Sequence, residues 1–181
     1  MARPVTLFTI QWGDLSLEDI CALAQKMGYE GLELSAAHLD MHRAASDPAY
    51  VQQVKDTLAK YGLGCWSISN HLAGQCVCDT LPGAYDSRLD GFAPAQYAGD
   101  PAAIQAWAMQ EMKDTAHAAK AMGVDTVTFF MGSPIWKLWY SFPQTSQEQV
   151  DAGYQRIKEL WSPIMDVYDQ CGVKLALEVH P

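Results

Sequence analysis

No stretch of the 181-residue sequence is apolar for long enough to cross a membrane. The opening residues, Met1-Ala-Arg-Pro-Val-Thr-Leu-Phe8, lack the apolar core of a secretory signal. Both absences predict a cytoplasmic protein without a membrane partner. Positive charge is scarce: 12 Lys and Arg stand against 21 Asp and Glu, for a formal charge of −9 and a pI near 4.8. A nucleic-acid surface needs a basic patch, so nucleic acid is excluded as a partner. No block of like charge marks a tail. The five cysteines are odd in number and lack scaffold spacing, which excludes a disulfide framework. Cys76-Val-Cys78 has no second Cys or His pair at zinc-site spacing. Cys21 and Cys171 fall on helix-like segments and read as small core residues.

What is present is an ordinary hydrophobic content, 49%, in a chain long enough for one real core. Five β-rich runs alternate with four helical patterns. The runs are Val5–Trp12, Tyr29–Ser35, Leu63–His71, Thr126–Met131 and Lys174–Pro181. Ser16 with Asp19, Asp47-Pro48, Asp100-Pro101 and Ser146 with Gln149 open the helices. Met27-Gly28, Tyr61-Gly62, Met122-Gly123 and Cys171-Gly172 close them and feed directly into the strands. Pro163 sits inside the last helical pattern, where it kinks or divides it. Residues 72–99 show no periodicity and read as a long functional loop. Such alternation demands a parallel sheet with right-handed crossovers. Short αβ turns and longer βα loops favour a (β/α)8 barrel, with an open doubly wound sheet as the alternative. A full barrel has eight strands and eight helices in about 250 residues. The sequence therefore reads as the amino-terminal five strands and four helices of one barrel domain spanning residues 1–181, with open edges that invite a second copy.

The candidate site lies at the carboxyl ends of the strands, where ligands of parallel sheets bind. Along Lys174–Pro181, Leu175, Leu177 and Val179 share one face, and Glu178 and His180 share the other. A carboxylate on a buried strand is costly unless it is paired or bound to a cation. Glu178 is thus either a functional acid or half of an ion pair with a Lys or Arg. Ser67, Ser69 and His71 share a face of the third run. His71 reads either as a donor to a substrate hydroxyl or as a buried structural histidine. Glu33 reads either as a pocket carboxylate or as half of an ion pair with a neighbouring strand. Trp12, Trp136 and Trp139 are candidates for stacking on a sugar ring, and aromatic core or lid packing is the competing reading.

Gly31-Leu-Glu-Leu34, Ser67-Ile-Ser-Asn-His71, Met131-Gly-Ser-Pro134 and Ala176-Leu-Glu-Val-His-Pro181 together resemble the sugar phosphate isomerase/epimerase family of xylose isomerase-like TIM barrels. The resemblance implies that Glu178 is both the first glutamate ligand of a divalent metal (Mn²⁺, Mg²⁺, Co²⁺ or Zn²⁺) and one proton carrier. It implies that the Asp, His and second Glu completing the site lie on later strands. His180 would contact substrate or orient a ligand. The activity implied is isomerisation or epimerisation of a sugar or sugar phosphate, by removing a proton next to a carbonyl through an enediolate. A dehydratase of the inosose or dehydroshikimate type uses the same chemistry. An endonuclease IV-like phosphodiesterase is disfavoured by the charge and by Phe130-Met-Gly132, where that family places a histidine. The non-enzyme reading is a barrel fragment acting as an assembly unit.

Overall fold

The computed structural model describes residues 3–81, 84–138 and 140–179. Five parallel strands form one sheet in sequential order: β1 (Thr6–Phe8), β2 (Gly31–Ser35), β3 (Gly64–Ser69), β4 (Thr126–Phe129) and β5 (Lys174–Leu177). Sequential order with helical crossovers is barrel grammar; a doubly wound sheet would reverse direction partway. The helices are α1 (Leu17–Met27), α2 (Met41–Ser46), α3 (Pro48–Lys60), α4 (His71–Asp79), α5 (Pro101–Met122) and α6 (Gln147–Cys171).

The predicted start signals work through hydrogen bonds. Ser16 accepts from the Asp19 amide, Asp47 from Ala49 and Tyr50, and Asp100 from Ala102 and Ala103. Ser146 and Gln149 form a reciprocal box, each side chain accepting from the other's amide. Gly28 leaves α1 at φ 84°, a left-handed conformation that L side chains rarely adopt.

Several boundaries differ from the sequence expectation. The first strand stops at Phe8, and Ile10–Trp12 coil into a 3₁₀ turn in which Trp12 donates to the Thr9 carbonyl. The third strand stops at Ser69, so His71 opens α4 instead of ending a strand. The expected loop 72–99 thus contains α4 and the 3₁₀ turns Ser87–Phe92 and Ala95–Tyr97. Its polar and glycine-rich composition hid a helix of nine residues, too short for a periodic signal. The extra helix α2 precedes α3, and α6 runs unbroken through Pro163.

Contacts divide the chain into two compact units: Met1–Asn70, Asp114–Thr128 and Tyr168–Ala176, and His71–Lys113, Phe129–Val167 and Leu177–Pro181. In the first, Leu32, Leu34, Ile68 and Val127 form the apolar face of the sheet, each fully buried. Ile20, Cys21 and Ala24 of α1 and Val51, Val54 and Leu58 of α3 supply buried helical faces. Burying such aliphatic side chains stabilises by about 1.5–3 kcal/mol each. The opposite face is polar. An irregularity between Leu32 and Glu33 leaves Trp66 as an extra residue in β3, its ring seated against Gly31 and Gly64. A Cβ at either glycine would lie 2.4 Å from that ring.

In the second unit, α4 packs against the end of β4 through glycine. A Cβ at Gly74 would come within 2.3 Å of the Phe130 carbonyl oxygen, and one at Gly132 within 2.3 Å of that of Gln75. Asp79 accepts from the Ser133 amide and the Gln75 side chain, and the Trp161 indole donates to the Met131 carbonyl.

Candidate active site

The second unit contains the acid singled out by sequence. Glu178 directly follows β5, and its amide donates to the Phe129 carbonyl at 3.0 Å. Its carboxylate Oε2 lies 2.9 Å from Nε2 of His71. The two partners differ sharply in exposure, 3% for the His71 side chain and 55% for that of Glu178. The expectation of a buried strand, with Leu175, Leu177 and Val179 on one face and Glu178 and His180 on the other, is corrected here in its burial. Leu177 is 48% and Val179 87% exposed, because β5 ends at Leu177 and its outer neighbours do not cover them. The pairing partner is also neither Lys nor Arg. A buried imidazole, packed edge-on against Phe130 with ring centroids 4.4 Å apart, takes that role. One carboxylate oxygen is thereby fixed, while the half-exposed group still meets solvent.

The first unit carries a second polar group on the inner face of its sheet. Glu33 pairs in register with Ser67, Ser35 with Ser69, and Ser69 with Thr128. Ser67 Oγ donates to Glu33 Oε2 at 2.8 Å and Thr128 Oγ1 to Oε1 at 2.6 Å. Among the described residues no cation pairs with Glu33, so the ion-pair reading gives way to a hydroxyl-bound carboxylate. Thr9 donates to Ser35 Oγ just above it. Burial, and secondarily the nearby Glu33 charge, push the Cys65 thiol up to about 11.

The remaining candidates do not gather. Trp12 lies half-buried in the 3₁₀ turn after β1. Trp136 is 53% exposed in the 3₁₀ turn Trp136–Leu138. Trp139 and His180 lie outside the described residues. Cys171, expected in the core, is only half-buried and sits 3.4 Å from His117. Sequence reasoning missed Thr128 as the second donor to Glu33, although its place two residues before Phe130 on a β-rich run marked its face. It also missed Phe130 as the packing partner of His71, which no local pattern signals.

A family profile described as xylose isomerase-like TIM barrel matches residues 21–181. The chain belongs to the xylose isomerase-like TIM barrel family. No curated protein matches it. Among solved structures it is similar to the apo form of a 3-keto-D-glucoside 4-epimerase from E. coli, at 11% identity and a TM-score of 0.63, over 97% of this chain and 56% of that one. It is also similar to a probable 3-DHS dehydratase of petrobactin synthesis from Bacillus anthracis, at 18% identity and a TM-score of 0.57, over 99% and 53%. A third is a xylose isomerase-like TIM barrel protein from Mycobacterium smegmatis in complex with magnesium, at 13% identity and a TM-score of 0.57, over 98% and 55%. The chain thus spans about half the length of the structures it matches. At these identities the likeness shows the fold.

The Mycobacterium smegmatis barrel is in complex with magnesium, an ion that needs several oxygen donors. Among the described residues no group of three or more His, Cys, Asp or Glu side chains could hold an ion. Glu178 offers one carboxylate with one oxygen already hydrogen-bonded to His71. As a metal ligand it would need partners that the described residues do not supply.

Proposed function

We propose that the chain carries the proton-transferring part of a sugar isomerase or epimerase, with Glu178 as the acid–base group. The supporting observation is the 2.9 Å contact between buried His71 and half-exposed Glu178. A base for this reaction must be held in place yet reach a substrate. With its proton on Nε2, His71 donates to Oε2 and leaves the rest of the carboxylate facing outward. That carboxylate takes the proton from a carbon next to a carbonyl, and the electron pair moves onto the carbonyl oxygen as an enediolate. The proton of the adjacent hydroxyl passes to that oxygen, and returning the first proton to the former carbonyl carbon isomerises the sugar. Epimerisation needs a second proton carrier on the opposite face. This step rests on Glu178 and His71 alone, because the described residues do not fit a divalent ion. For the whole barrel, a divalent cofactor with Glu178 as one ligand, and a carbohydrate substrate, remain part of the proposal.

A dehydratase is the second reading, supported by the dehydratase among the similar structures. The same abstraction followed by loss of a β-hydroxyl would release water. Incubation of the protein with D-fructose in heavy water tests both. We expect deuterium to enter the sugar next to its carbonyl, and Glu178→Gln to slow entry by about 10²–10⁴-fold. Deuterium entry unchanged in that variant would remove Glu178 from the chemistry. An unsaturated product in place of exchange would select the dehydratase.

A further inference from the structure

Four of the five cysteines are shielded from reaction, and the fifth is not. Cys21, Cys76 and Cys78 are buried, and burial pushes their thiols up to about 11, about 12 and about 12. Cys65 is half-buried, donates to the Ser67 carbonyl at 3.4 Å and is pushed up to about 11. Cys171 closes α6 and is only half-buried. Its Sγ lies 3.4 Å from Nδ1 of His117, an exposed residue of α5. Both residues belong to the first compact unit. Of the five thiols only that of Cys171 pairs with an imidazole among the described residues. The next residue, Gly172, leaves the helix at φ 70°, and a Cβ placed on it would meet no atom within 4 Å. Space is therefore open beside the thiol.

An accessible thiol with a base at hydrogen-bonding distance is suited to thiol–disulfide exchange. We propose that Cys171 is a redox modification site that forms a mixed disulfide with a low-molecular-weight disulfide, with His117 as its base. With the imidazole proton on Nε2, Nδ1 takes the proton from Sγ. The thiolate sulfur attacks one sulfur of the incoming disulfide R–S–S–R, whose S–S bond breaks as a Cys171–S–S–R bond forms. The departing thiolate takes the proton from His117 and leaves as R–SH. Cys171 is oxidised and the incoming disulfide reduced, so the exchange needs no other oxidant. A free thiol is only a few per cent ionised near neutral pH, and a thiol that ionises more readily is a weaker nucleophile. The net gain from the base is therefore about threefold to tenfold. The carboxyl end of a helix opposes an anion, so the imidazole and not α6 supplies that gain. Neither Glu178 nor the sugar reading enters this step.

The test exposes the full chain to glutathione disulfide and locates the modified cysteine by peptide mass spectrometry. In the folded protein Cys171 should react first, and Cys21, Cys65, Cys76 and Cys78 at least about tenfold more slowly. His117→Gln keeps a polar side chain at an exposed helix position and removes the base. It should slow the adduct at Cys171 by about threefold to tenfold. In urea the two proteins should react alike at Cys171, because the contact joins residues 54 apart in the sequence. First reaction at another cysteine of folded wild type, or no adduct at all, overturns the proposal without recourse to a variant. So does an unchanged rate in His117→Gln, or a difference that survives in urea.

Discussion

His71 and Glu178 illustrate what burial does to single residues. A wholly buried imidazole has one fixed position, so the half-exposed carboxylate it touches at 2.9 Å inherits that position at little entropic cost. The same burial works against ionisation in the thiols. Cys76 and Cys78 are pushed from an ordinary 9.0 to about 12, chiefly by desolvation. A thiol whose folded value is raised contributes stability that is fully present below the unfolded value and is lost as pH rises toward the folded one. Melting temperature should therefore fall between pH 9 and about 12, and less steeply in a Cys76→Ala/Cys78→Ala variant. Circular dichroism melts across that range check it; parallel curves for the two proteins would discount the thiols. At pH 8, iodoacetamide should leave both thiols unmodified in the folded protein and label them in urea, since the thiolate is the reacting form.

At the level of elements, α4 connects packing to the candidate site. Its first residue is His71, and its fourth, Gly74, lies against the Phe130 carbonyl with no room for a Cβ. Gly74→Ala must push the helix away, costing about 1–3 kcal/mol. Urea unfolding measures that cost, and deuterium exchange into D-fructose should fall with it because His71 moves as well. A variant as stable as wild type would show that α4 does not need this close approach. The helices that were legible beforehand, α1, α3, α5 and α6, carry their own caps: Ser16, Asp47, Asp100 and Ser146 each bond amides two or three residues on. In α4 the hydrophobic face is mixed with Gly74 and Gln75, so no clear period marked it. For β5 the alternation of Leu175, Leu177 and Val179 was real, but alternation predicts a face and not whether anything covers it.

For the molecule as a whole, the sheet ends at β1 and β5, and the last strand leads to two exposed aliphatics. Val179 is 87% exposed, so Val179→Lys should leave stability within about 0.5 kcal/mol of wild type in urea unfolding; a larger loss would show that its side chain is covered. Taken alone, the sequence determined the βα alternation, the parallel sheet and the polar-inward parity of Glu33 and Ser67, because caps, helix-stop glycines and a two-residue side-chain period are local properties. It also singled out Glu178. Only the tertiary structure decided that Glu178 meets His71, 107 residues earlier in the chain, and that Thr128 joins Ser67 on Glu33. Such contacts depend on strand order, register and where each strand stops, and those are set by packing between segments distant in sequence.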